Sequence, residues 1–261
     1  MGCELIRASS LMEALENKDQ DAAFFAGGTG IGYKDSGIKA DKLIVIPDKA
    51  SMQGITEEDG YIRIGAFVTF TQALDDLLVP QYLKEALRFC GSLQKRNMAT
   101  IGGNVASMRS DSYLIPTLIA SGARLCLETK DGPADIGCDS YAAEWEKYRH
   151  ALIRAVLVKP DARSREEEGS VRVLSKRYAN TVESHAYLTI AMGRCADEFR
   201  IGIAIKGCGV FCPDIKNWDV SWKKAGVSDD MFGTEEYKRY LTGTTLETMY
   251  EELGGEGGAE S

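Results

Sequence analysis

Short apolar runs broken by polar, glycine-rich intervals set the pattern of the first part of the chain. Ser10-Leu11-Met12-Glu13 has capping-box spacing and leads into Ala14-Leu15-Glu16, predicting a short helix. Ala22 to Ala26 reads as a buried strand, and Leu43-Ile44-Val45-Ile46 before Pro47 as a second. Tyr61 to Gly65 alternates as a half-buried strand does. Thr69 is placed to cap a helix running to Leu78, and Pro80 to open another reaching Cys90. Ser112 to Ser121 reads as a helix containing Pro116 and stopped by Gly122, followed by strands at Ala123–Glu128 and Ala151–Val158. The charged stretch Arg163 to Gly169 has linker composition. Beyond it the pattern predicts a helix over Ser175–Met192, a strand over Phe199–Ile205 and a closing helix behind a capping box at Thr244-Thr245-Leu246-Glu247. The glycine-rich end, 254–261, predicts a flexible tail.

Composition narrows the partners. At 261 residues, 44% hydrophobic and 27% charged, the chain can bury a sizeable core. A net charge of −8 argues against nucleic acid. No run approaches the roughly 18 apolar residues of a membrane span, and no apolar segment of signal-peptide type follows Met1, so a cytoplasmic protein is expected. Seven scattered cysteines suit a reducing compartment. Cys208 and Cys212 form the one close pair. With His150 and His185 the only histidines, ordinary thiols are expected there, with no metal site on this chain.

Two glycine-rich segments carry the candidate chemistry. The first, Phe24-Phe25-Ala26-Gly27-Gly28-Thr29-Gly30-Ile31-Gly32, ends an apolar run. The second runs from Gln94 through Ala99-Thr100-Ile101-Gly102-Gly103-Asn104-Val105-Ala106-Ser107 to Ser110-Asp111. Glycines beside small and hydroxylated residues let main-chain N–H groups approach an anion, and Asn104, Ser107 and Asp111 add polar groups suited to a polyol. Ser110-Asp111 also has helix-capping character. Gly28-x-Gly30-x-Gly32, with Asp48 downstream, imitates a Rossmann fingerprint. Residues 33–40 carry almost no apolar stripe, however, so the helix that fold needs is not expected. No nucleophile or acid–base pair stands out, and His150 and His185 are expected to be structural or solvated. That absence fits a protein whose cofactor carries the reaction.

The Ala-Gly-Gly-Thr loop, followed by Gln-x-x-Asn-x-Ala-Thr-Ile-Gly-Gly-Asn-x-Ala and then Ser-Asp, resembles the FAD-binding subunit of molybdenum hydroxylases, the xanthine dehydrogenase and carbon monoxide dehydrogenase flavoprotein family. The resemblance implies an α+β chain. It would have a two-subdomain FAD-binding fold of the vanillyl-alcohol oxidase (PCMH) type, over 1–55 and 56–162, and a small carbon monoxide dehydrogenase flavoprotein-like domain over 170–253. It implies that Phe25, Ala26, Gly27, Gly28, Thr29, Gly30 and Ile31 surround the FAD phosphates. Thr100, Gly102, Gly103, Asn104 and Ser107 would contact pyrophosphate and ribityl oxygens, and Asp111 a hydroxyl. Gly91 would lie along the cofactor and Lys176 near the flavin edge. The spacer Val105–Arg109 is shorter than the family's usual one. No histidine adjoins either glycine-rich segment, so noncovalent FAD is expected. The resemblance further implies a heterotrimeric complex. Its molybdenum cofactor and 2Fe–2S clusters would sit on partner subunits, with electrons leaving the flavin for NAD⁺ or another acceptor. A stand-alone NAD(P)-dependent reductase and a flavin-bearing scaffold protein without turnover are the competing readings.

Overall fold

The computed structural model describes residues 3–31, 40–162, 169–181 and 184–255. The interval tested against a Rossmann helix, the charged linker and most of the tail therefore lie outside the described residues. By its internal contacts the chain divides into two units. The first comprises residues 1–79, 90–107 and 124–158, and the second 80–89, 108–123 and 159–261.

The first unit opens with strand β1 (Glu4–Arg7), helix α1 (Leu11–Glu16) and strands β2 (Ala22–Phe25) and β3 (Lys42–Val45). These strands form a parallel sheet in the order β1-β3-β2, with Phe25 paired to Val45. Ser10 caps α1 by accepting from the Glu13 N–H, as its spacing predicts. The Glu13 carboxylate, however, reaches back to Ser9 rather than to the cap residue. Leu15, Ile44, Ile46 and Met52 close the core beneath this sheet with Phe67 and Leu152, each full burial stabilising by about 1.5–3 kcal/mol.

An antiparallel sheet completes the unit. Strands β4 (Ile55–Glu58) and β5 (Tyr61–Gly65) meet through Asp59-Gly60, both left-handed, as a two-residue hairpin turn requires. Helix α2 (Phe70–Asp75) starts from a complete capping box at Thr69 and ends short of the predicted Leu78. In the second unit, α3 (Gln81–Arg88) follows Pro80. The first unit resumes with α4 (Leu93–Arg96) and α5 (Ile101–Ala106). The second takes α6 (Leu114–Ala120), which ends at Gly122 in the left-handed region. Back in the first unit, β6 (Arg124–Thr129), β7 (Gly132–Gly137), α7 (Cys138–Ala143), α8 (Trp145–Tyr148) and β8 (Leu152–Val158) complete the sheet in the order β4-β5-β8-β6-β7.

The second unit departs most from the sequence reading. Ser175–Met192 is not a helix: β9 (Arg172–Tyr178) and β10 (Leu188–Cys195) occupy its two ends, and His185 lies in the connection between them. β10 is a central strand, paired on both edges by β9 and β11 (Glu198–Ile205), with β12 (Gly209–Phe211) beyond. Its Leu188–Gly193 segment is buried throughout. With both faces covered, the strand shows no alternation to separate it from a helix. Helix α6 packs closely on this sheet, because a Cβ on Gly193 would strike the Ala120 carbonyl and one on Gly202 would lie 2.7 Å from Pro116 Cα.

After α9 (Trp218–Lys224), the closing helix α10 (Glu235–Glu252) begins at Thr234, not at Thr244. The expected capping box lies mid-helix, where Thr244 and Thr248 hydroxyls donate to carbonyls one turn back. Lys238 of α10 is 1% exposed, 2.7 Å from Asp230, and donates to the Ser228 carbonyl. These bonds compensate its desolvation. No described helix is long and apolar enough to cross a membrane.

Candidate FAD-binding site

The first glycine-rich segment leaves the carboxyl end of β2, the edge of a parallel sheet where loops gather around ligands. Gly28 has φ +71°, a conformation open to glycine, and the space beside it ends at the Phe25 ring. Among the described residues the N–H groups of Gly28, Thr29, Gly30 and Ile31 have no acceptor. Four successive main-chain donors without acceptors among the described residues, each in a half-buried residue, offer their dipoles to an anion.

The second segment is built differently. Gly102, Gly103 and Asn104 lie in the first turn of α5, capped by Thr100, rather than in an open loop. Its leading N–H groups are engaged within the chain: Ile101 with the Val68 carbonyl, Gly102 with Ala66, Gly103 with Thr100 Oγ1 and Asn104 with the Thr100 carbonyl. The segment's free polar capacity lies in side chains. Thr100 Oγ1 accepts from Gly103 and keeps its own proton to donate. Asn104 Oδ1 is buried without a partner. Ser107 Oγ donates to the Asn104 carbonyl at 2.6 Å.

The two segments touch. A Cβ on Gly27 would fall on the Met98 carbonyl, and one on Gly103 would lie 3.6 Å from Ala26 Cβ. Phe25–Ile31 and Thr100–Ser107 thus come together in the first unit. Gly91 is also in that unit, in its own turn, with φ +76° and its carbonyl taken by the Arg96 guanidinium. Asp48, the Rossmann-like acid, accepts from the Ser51 N–H in a local turn.

Asp111 and Lys176 belong to the second unit. Neither Ser110 nor Asp111 caps α6. Ser110 Oγ accepts from the Gly207 N–H, and Ser112 Oγ from Ile115 N. Both oxygens of Asp111 are taken by Arg109, at 2.8 and 2.7 Å, and His185 Nδ1 stands 3.5 Å away. Burial opposes ionisation of this carboxyl, but the Arg109 bonds and charge outweigh it, with His185 adding, and hold it below its usual range. The sequence reading missed Arg109 and set His185 on a helix; the short spacer that places Arg109 two residues from Asp111 was the available signal. Lys176 lies on β9 with its ammonium 5.5 Å from the centroid of the Tyr178 ring, while Arg177 stacks on Phe89 at 4.3 Å.

Among the described residues no group of three or more His, Cys, Asp or Glu is arranged to hold a metal. A glycine-rich loop with N–H groups unengaged among the described residues, at the carboxyl edge of a parallel sheet and in the same unit as the Thr100 hydroxyl and the buried Asn104 Oδ1, is chemically suited to a phosphorylated ligand. The chain belongs to the family described as the FAD binding domain in molybdopterin dehydrogenase, whose family model matches residues 1–158. It is therefore an FAD-binding component of an oxidoreductase, as the glycine-rich motifs implied.

The chain is 27% identical to the uncharacterized protein YgfM of Escherichia coli K12, over 95% of each. It is 30% identical to the nicotinate dehydrogenase FAD-subunit of Eubacterium barkeri, over 56% of this chain and 54% of that one. Among solved structures, carbon monoxide dehydrogenase from Hydrogenophaga pseudoflava matches with a TM-score of 0.77 at 19% identity, covering 94% of this chain and 95% of that one. Quinoline 2-oxidoreductase from Pseudomonas putida 86 matches at 0.72 and 16% identity, covering 97% of each. These likenesses establish the α+β FAD-domain fold.

Proposed function

We propose that this chain is the FAD-carrying electron-transfer subunit of a multi-chain molybdenum hydroxylase. In this reading electrons arrive from 2Fe–2S clusters on one partner, having left a molybdenum cofactor on another, and depart to NAD⁺ or a further acceptor. The observation that carries the reading is the N–H array of Gly28–Ile31. The similarity to the nicotinate dehydrogenase FAD-subunit supports it.

The residues present fit FAD. Gly28, Thr29, Gly30 and Ile31 would donate main-chain N–H groups to the diphosphate, and Ala26 and Gly27 bring that loop against Met98 and Gly103. Thr100 would donate its hydroxyl proton to a neighbouring oxygen. Asn104 Oδ1, buried and unpartnered, would accept from a ribityl hydroxyl. Bound there, FAD supplies the redox chemistry that the side chains lack. Asp111, held ionised by Arg109, would offer its remaining lone pairs to a hydroxyl, and Lys176 a positive charge to an electron-rich edge. We place the chain in the cytoplasm, with the flavin held noncovalently.

The test is purification of the native assembly, with its visible spectrum and metal content. The expected result is FAD released by acid or heat, together with iron–sulfur and molybdenum on co-purifying chains. Photoreduction followed by mixing with NAD⁺ reads the acceptor directly, and failure of the reduced protein to pass electrons to any acceptor would favour a scaffold. A chain that takes up NADPH and no flavin would instead favour the stand-alone reductase.

A further inference from the structure

The loop that follows β3 carries a cation used by no described ion pair. β3 is the central strand of the parallel sheet, and Val45 pairs with Phe25, so the residues after Val45 leave the sheet at the same edge as the Gly28–Ile31 array. Lys49 stands in that exit. Its ammonium lies 5.9 Å from the centroid of the Phe25 ring and 5.4 Å from that of Phe67. The Phe25 ring also abuts the array, with its Cε2 3.2 Å from the position a Gly28 Cβ would take. One aromatic ring therefore lies beside both the loop and the ammonium.

Among the described residues no carboxylate lies within ion-pair distance of Lys49. The adjacent Asp48 accepts from Ser51 N instead, and Lys42, on β3 itself, is paired with Asp19 at 2.8 Å. Lys49 is a half-buried residue, and its ammonium over two ring faces keeps its charge available to an incoming anion. The need for such a charge is physical. The chain carries a net −8, main-chain N–H groups contribute only partial charges, and a diphosphate brings two full negative ones.

We propose that Lys49 is the counter-cation of the cofactor diphosphate, delivered to the Gly28–Ile31 array from the β3 exit and steered by Phe25 and Phe67. The inference rests on the FAD reading above and adds a phosphate-binding side chain to it. Lysine suits the role as a point charge on a flexible stem.

The experiment is titration of the flavin-free 261-residue chain with FAD, ADP and riboflavin, for the wild type, Lys49→Met and Lys49→Arg. Lys49→Met is expected to weaken FAD and ADP by about 10- to 100-fold, the range of a lost charged hydrogen bond, and to leave riboflavin unchanged. Lys49→Arg should keep most of the FAD affinity. Added salt should weaken FAD binding in the wild type more than in Lys49→Met. Equal FAD and ADP affinity in Lys49→Met and wild type would overturn the proposal. So would a matching loss for riboflavin, because Lys49 would then act only by holding the two rings in place. Wild-type chain that binds none of the three ligands would instead remove the FAD reading itself, and Lys49's role with it. Should Lys49→Met melt well below the wild type, Lys49→Gln with the same three ligands replaces it under the same criteria.

Discussion

Gly28–Ile31 and Ile101–Asn104 have similar compositions and opposite constructions. In the first, successive N–H groups are left without acceptors among the described residues, and a positive φ at Gly28 shapes the turn. In the second, every leading N–H is engaged within the chain, and the glycines serve packing. A Cβ on Gly102 would lie 2.5 Å from Ala66 Cβ. A glycine-rich stretch thus has two physical uses, exposing the main chain to a ligand or letting two backbones approach. The fate of the N–H groups separates them.

Substitutions can break that contrast at either end. The largest effect is expected from Gly27→Val, whose side chain would occupy the Met98 carbonyl position. Urea unfolding should show a loss of about 3 kcal/mol or more, with flavin content falling in step. Gly102→Ala meets Ala66 side chain and backbone together and should lose about 1–3 kcal/mol by the same assay. If it proves neutral, the tight packing assigned to the second segment is wrong. Asn104→Ala separates ligand from fold: apo stability should be nearly unchanged, because Oδ1 has no partner to lose, while FAD binding weakens about tenfold in a fluorescence titration.

Thr100→Val removes the cap on Gly103 N and should destabilise by about 1 kcal/mol in thermal melts. The smallest effect lies in the second unit, at Asp111. Its folded carboxyl titrates below the ordinary value of 3.8, so its contribution to stability is complete above that pH and is lost as pH falls through the lower, folded value. Asp111→Asn should flatten the acid limb of a stability–pH curve in that window. An unchanged acid limb would show that Arg109 does not hold the carboxylate in solution.

Local signals were legible where one short-range rule governs. The caps at Ser10 and Thr69, the stop at Gly122 and the strand ending at Val158 all follow from residues within a turn of the feature. The failures share a tertiary cause. β10 reads as a helix because cover on both faces erased its alternation, and Thr244 reads as a cap because nothing local reveals that its hydroxyl bonds the Tyr240 carbonyl. At the site, the glycines announced both segments. Only the placement of Ala66 and Val68 showed that the N–H groups of Ile101 and Gly102 were already engaged. Lys49 had a signal, its position just beyond a parallel strand, that becomes readable once the order β1-β3-β2 is known.

The most direct measurement is amide hydrogen exchange of the flavin-free chain, before and after saturation with FAD. Gly28, Thr29, Gly30 and Ile31 should exchange fast without cofactor and slow sharply with it, while Ile101 to Asn104 are protected in both states. Fast exchange at Gly28–Ile31 under saturating FAD, with new protection appearing at Ile101–Asn104 instead, would contradict the assignment of the diphosphate to the first loop.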